Sequence, residues 1–180
     1  MFKTLLTALT LTTLATPVMA QSDMKQHQEL WNAVESTGVS ISVNQAEYCY
    51  SKFNGGKKFF GFYHGPARLL VICQEQALRN DTYNQGQLQW SEEDLDTLRH
   101  EAHHLVQDCR DKELNHQLDT VYTKPINLAM NVLGRDGVLG VLQIYSGASE
   151  EMKVLELEAF SVARMNQPLT QVEDIKTYCF

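Results

Sequence analysis

The stretch Ser91-Glu92-Glu93-Asp94-Leu95-Asp96-Thr97-Leu98-Arg99-His100-Glu101-Ala102-His103-His104-Leu105-Val106-Gln107-Asp108-Cys109 reads as one capped helix, and the rest of the chain is organised around it. Ser91 with Asp94 three residues on resembles a capping box, and acidic residues in the first turn suit the positive end of a helix dipole. Leu95, Leu98, Ala102, Leu105, Val106 and Cys109 recur at helical spacing and mark a buried side. Glu92, Glu93, Asp96 and Arg99 supply the polar surface, with the histidines at the border. Inside this helix stands the pattern H-E-x-x-H, His100 to His104. Residues four apart stack on one helix face, so two imidazoles can converge on one metal ion. Glu101, about 100° further round the axis, projects beside them.

The 180 residues open like an export signal. Lys3 supplies charge, Leu5 to Ala15 forms an apolar, threonine-rich run, and Val18 and Ala20 suit cleavage after Ala20. Residues 1–20 are therefore expected to be a signal peptide, and 21–180 a single domain. No stretch has the length and apolarity of a spanning helix, so no stable membrane insertion is expected after cleavage. The expected location is secreted or periplasmic. A formal charge of −7, more negative still without Lys3, excludes long-range attraction to nucleic acid or anionic lipid and favours neutral or cationic partners. Cys49, Cys73, Cys109 and Cys179 in an exported chain read as two disulfides. Three connectivities are possible. Cys49–Cys73 with Cys109–Cys179 is favoured, because the second bond ties the penultimate residue to the end of the metal-binding helix.

Around the central helix the chain alternates between recognisable elements. Gln26 to Ser36, with Leu30, Trp31 and Val34, reads as an amphipathic helix ending before Gly38. Val39, Ile41 and Val43 alternate with serines as in a half-buried strand. Asn44 to Ser51 reads as a connection. Asn54-Gly55-Gly56 is a turn signal ahead of two apolar runs, Lys58 to Tyr63 and Arg68 to Cys73, expected to pair as a hairpin. The second run is apolar on consecutive positions and should be the buried strand, leaving the first near an edge. Pro125 to Leu133 is a further helix, and Asp136 to Tyr145 is apolar enough to be buried. Ser149 caps a helix running to about Met165, ended by Pro168.

Glu156 and Glu158 sit within that last helix among Val154, Leu155, Leu157, Ala159, Phe160, Val162 and Ala163, and carboxylates in so apolar a helix need a reason. A catalytic zinc takes three protein ligands and keeps one position open, so the histidine pair requires a third ligand from elsewhere. Glu156 would complete it, with Glu158 as the alternative. Asp108, one turn beyond His104, is a candidate to orient an imidazole, and His103 a neighbour of the site. His116, Tyr122, Tyr145 and Arg164 are candidates to stabilise an oxyanion. His27 and His64 read as ordinary polar residues.

With these residues in place, the chain resembles a small zincin of the gluzincin type, in which a downstream helix gives a glutamate ligand. The resemblance covers the two helical segments. It implies an α+β, zincin-like fold, with a small antiparallel or mixed sheet packed on the H-E-x-x-H helix and on the glutamate-bearing helix. It also implies zinc held by His100, His104 and Glu156, with Glu101 as general base. Several families of this group carry small residues three and seven positions after the ligating glutamate, and Ala159 and Ala163 fit Glu156. Glu158, followed by Ala159-Phe160-Ser161, resembles the variant with a small residue three positions on. The metzincin pattern is absent, since His116 lies twelve residues past His104.

The expected function is a zinc-dependent peptidase, an endopeptidase acting as a monomer on a peptide or protein substrate, cell-envelope peptides included. The alternatives are a non-catalytic secreted binding domain that kept the zincin scaffold, with or without zinc, and a zinc carrier. Lys58 to Tyr63 is the candidate edge for pairing with extended substrate.

Overall fold

The computed structural model describes residues 18–50 and 59–180, with side chains from Asp23 onward. The run expected to belong to a signal peptide, Lys3 to Ala15, and the expected turn at Asn54-Gly55-Gly56 lie outside the described residues. The fold is α+β, with a small mixed sheet among helices. Helix α1 (Val18–Ser36) leads into β1 (Ser40–Val43) and the short α2 (Ala46–Cys49). β2 (Gly61–His64) and β3 (Leu69–Ile72) follow, then α3 (Glu75–Asn80) and the central α4 (Glu92–Asp108). The chain ends with α5 (Pro125–Val132), α6 (Gly134–Ile144), α7 (Glu150–Met165) and α8 (Pro168–Cys179). Among the described residues no helix is long and apolar enough to cross a membrane.

The sheet order is β1-β3-β2. β3 pairs in parallel with β1 (Ser40 opposite Leu69) and antiparallel with β2 (Phe62 opposite Val71). A central strand covered on both faces must be apolar on consecutive positions. Leu70 and Ile72 enter the main core with Leu30 and Val34 of α1, Leu98, Ala102 and Leu105 of α4, and Ile175 of α8. Leu69 and Val71 turn to the other face, against Cys49, Cys73 and Leu78. A separate cluster of Ala129, Val138, Val141 and Leu157 joins α5, α6 and α7.

Both disulfides have the favoured pairing. Cys49–Cys73 clamps α2 to the end of β3, and Cys109–Cys179 fastens the end of α8 to the C-cap of α4. Disulfides and the lack of a spanning helix among the described residues are compatible with an extracellular location.

Four sequence expectations need correction. Pro168 does not end α7; Asn166, left-handed at φ 51°, does that, and Pro168 opens α8 at a position where its missing N–H costs nothing. The Asp136–Tyr145 run is helical but only one side is covered: Val138 and Val141 are buried, whereas Leu139 is 53% and Ile144 72% exposed. The Asn44–Ser51 connection contains α2. Arg99 is buried rather than on the polar face, because its guanidinium finds partners from three segments. Nε donates to the Ala163 carbonyl at 2.9 Å, Nη2 to Asp96 at 3.1 Å, and Nη1 to His27 Nε2.

That last bond makes His27 more than an ordinary polar residue. Its Nε2 accepts from Arg99, so Nδ1 carries the proton and donates to the Asp23 carbonyl at 2.8 Å. Burial, with the nearby Arg99 charge, lowers its pKa from 6.5, while Asp23 works in the opposite direction. The unfolded chain then binds a proton more readily at this position. The stability His27 contributes is present above about pH 6.5 and is lost as the pH falls from there through the depressed folded value. In urea denaturation between pH 7.5 and 5.5, His27→Gln should lose less stability than the parent; equal losses would remove His27 from the acid response.

Candidate metal centre

α4 starts where the sequence expects. Ser91 Oγ accepts from the Asp94 N–H at 3.2 Å, and Asp94 accepts in return from the Ser91 N–H at 2.9 Å. The Asp94 carboxylate also accepts from the Glu75 N–H at 2.7 Å, which moors the cap to the start of α3. From this fixed end, His100, Glu101, His103 and His104 are all buried rather than at the border, because β2, α7 and the 118–122 segment cover the helix face they occupy.

His100 and His104 present their Nε2 atoms to one point, 3.1 Å apart. α7 brings Glu156 against both: Oε2 lies 3.2 Å from His100 Nε2 and Oε1 3.6 Å from His104 Nε2. Glu101 stands beside them, and the ligand atoms of His100, Glu101 and His104 all fall within 4.8 Å of one another. Phe160, one turn past Glu156, meets the His100 ring edge-on at 4.4 Å between centroids.

The donor set fits a zinc ion. Two imidazole nitrogens and a carboxylate match the atoms of catalytic zinc sites. Glu156 Oε2 is buried without a hydrogen bond, and so is His100 Nδ1. The local charge also favours a cation. Burial opposes a proton on His104, yet hydrogen bonding to Glu156 and the charge of Glu101 outweigh it and raise its pKa to about 9. On Glu156 burial acts upward, but His100 and His104 overcome it and hold the carboxyl well below its usual range.

The Glu156-or-Glu158 question has a geometric answer as to which carboxylate faces the histidine pair. Glu158 points elsewhere: Oε1 accepts from His103 Nε2 at 2.9 Å, Gln107 Nε2 at 3.1 Å and the Val121 N–H at 2.9 Å, and Oε2 from the Tyr122 N–H at 3.0 Å. It ties α4 and α7 to the 121–122 backbone. His103 belongs to that network and not to the convergent pair.

Asp108 does not orient His104. It accepts from Tyr63 Oη at 2.7 Å and from the His116 N–H at 2.6 Å. The orienting group is Gln107, for which the sequence offers only its place one turn beyond His104. Its Nε2 donates to the Leu155 carbonyl and to Glu158, both at 3.1 Å, which turns Oε1 towards His104 Nδ1 at 2.7 Å. An acceptor there requires a proton on Nδ1 and leaves the Nε2 lone pair for a metal. Gln107→Leu should weaken zinc binding about 10- to 100-fold by competition with a chromophoric chelator. Unchanged affinity in Gln107→Leu would refute this role.

Glu101 is held from the strand side. Burial keeps its carboxyl above the usual range, opposed by the His100 and His104 charges and by a hydrogen bond from the Tyr63 N–H. Gly61 permits this approach: a Cβ there would stand 2.7 Å from Thr97 Cγ2, 2.7 Å from the Val71 carbonyl oxygen and 3.1 Å from Glu101 Cγ. Gly61→Ala should cost about 1–3 kcal/mol in chemical denaturation by overpacking, with a drop in any activity that depends on Glu101. A neutral effect would show that β2 can move.

Of the four oxyanion candidates, only Tyr145 lines the cavities beside the site. Burial, with the charge and hydrogen bond of Glu156, raises its pKa, so it remains a phenol able to donate. Tyr122 lies against His103, with ring centroids 6.4 Å apart. His116 sits 3.7 Å from Asp108, and Arg164 is exposed. His64 accepts from the Ala67 N–H and caps the turn between β2 and β3.

A family model described as Domain of unknown function (DUF8637) matches residues 19–180, and the chain belongs to that family. No curated protein and no solved structure matches it.

Proposed function

We propose that this member of the DUF8637 family is a secreted or periplasmic zinc peptidase with a zincin-like arrangement of its metal helix. The observation that carries the reading is the convergence of His100 Nε2, His104 Nε2 and the Glu156 carboxylate on one buried point, with Glu101 alongside. His100, His104 and Glu156 hold the zinc, Gln107 fixes the tautomer of His104, and Phe160 restrains the His100 ring. Bound zinc supplies Lewis acidity at the scissile carbonyl and makes water a stronger acid.

The remaining steps fall to the chain. Glu101 takes a proton from water as the water oxygen adds to the carbonyl carbon. It then returns that proton to the leaving nitrogen as the C–N bond breaks. The elevated pKa that burial gives its carboxyl suits both acceptance and return. The Tyr145 phenol lines the cavity and can donate a hydrogen bond to the carbonyl oxygen as negative charge develops there. The free edge of β2 remains the candidate for aligning an extended peptide.

The test is metal content and hydrolysis on the same sample. Protein purified without added metal should carry one zinc per chain and cut peptides of a mixed library; a chelator should abolish cutting and added zinc restore it. Stoichiometric zinc with no cleavage would replace the enzyme with a zinc-bearing binding domain or carrier. Protein that neither carries nor takes up zinc would end both readings.

A further inference from the structure

Three large apolar residues that a folded chain would ordinarily cover, Phe59 (41% exposed), Phe60 (47%) and Ile144 (72%), border one cavity with Phe160. The cavity holds about 320 Å³ and reaches His100 and Glu101. Glu93 and Asp96, from the first turns of α4, also line it, and no lysine or arginine does so among the described residues. Asp96 shares its charge with buried Arg99, whereas Glu93 is exposed and forms no ion pair among the described residues.

Apolar walls ending in carboxylates suit one kind of occupant. A purely aliphatic side chain fills the walls but desolvates Glu93 and Asp96 without compensation. An acidic one meets like charge. A side chain with a long methylene stem and a positive tip covers the aromatic walls and places its charge at the carboxylates, as lysine and arginine side chains do at apolar surfaces. Ring faces add attraction for the same cation.

We propose that this cavity is a specificity pocket for a lysine or arginine side chain of the substrate, next to the bond that is cut. The inference rests on the peptidase reading for its position, and on the cavity for its chemistry. Alanine hexapeptides blocked at both ends, carrying one lysine, arginine, norleucine or glutamate at each position in turn, supply the probe. With zinc-loaded protein, kcat/KM at one position should favour lysine or arginine over glutamate by roughly tenfold, the scale of gaining one exposed ion pair and relieving one repulsion. Glu93→Gln should shrink that ratio and Glu93→Lys should reverse it. Calorimetric titration of the same peptides into Glu101→Gln protein reads the preference without turnover. Cleavage without charge preference would overturn the pocket and leave the peptidase standing. No cleavage, with lysine peptides binding more tightly than glutamate peptides, would overturn the peptidase and leave the pocket; equal binding would overturn the pocket as well.

Discussion

Glu101→Gln should lower kcat/KM on any cleaved peptide by about 10²- to 10⁴-fold, the contribution of a positioned general base, while zinc remains stoichiometric. The substitution preserves size. What is lost is a group that can take a proton from water and return it. Glu156→Ala separates this from loss of the metal: it removes the carboxylate that bridges His100 and His104, so zinc and activity should disappear together. Metal analysis beside steady-state kinetics distinguishes the two variants. Glu101→Gln protein within tenfold of the parent rate would withdraw the base assignment.

Glu158→Ala should be the most damaging single change to the fold, costing about 3–5 kcal/mol. Its carboxylate is fully buried and satisfies four donors, His103 Nε2, Gln107 Nε2 and the N–H groups of Val121 and Tyr122. Burial raises its pKa, but the bond from His103 with those from Val121 and Gln107 hold it below the usual carboxylate range. Removing it leaves buried His103 Nε2 without its acceptor, frees the part-buried Val121 and Tyr122 N–H groups, and leaves Gln107 with the Leu155 carbonyl alone. The loss corresponds to a melting temperature lower by roughly 6 to 20 °C for a chain of this size. Glu158 reaches the His100–His104 pair only through Gln107, which keeps its bond to the Leu155 carbonyl, so the folded fraction of the variant should still take up zinc, with an affinity lowered no further than in Gln107→Leu. A cost below about 1 kcal/mol by urea denaturation would mean that the 121–122 backbone is held by something else.

These two glutamates, two positions apart on α7, mark where sequence and structure divide. Residues two apart on a helix point about 200° apart, so only one of them could face the histidine pair. Which one depends on how α7 is rotated against α4, and the small residues that follow fit both choices, Ala159 and Ala163 for Glu156 and Ser161 for Glu158. The sequence carried several local features: the Ser91 and Ser149 caps, the consecutive apolar run of β3, the spacing that stacks His100 on His104, and the cysteines with their favoured pairing. Each depends on side chains close in the chain or on periodicity.

The remainder depends on surfaces that meet only once the chain is folded. Arg99 looked like surface because no local pattern announces that Ala163, Asp96 and His27 will surround its guanidinium. Gln107 displaced Asp108 as the partner of His104 because the Leu155 carbonyl and Glu158, contributed by α7, fix its amide. Gly61 acquired its role from the nearness of Glu101 to β2, and Pro168 opened α8 because α8 had a core to close. The sequence by itself determined that two imidazoles and a carboxylate share one turn of a capped helix. Only the packing of α7 and β2 onto that helix decided which groups complete the site, because burial and hydrogen-bond direction are properties of the assembled elements.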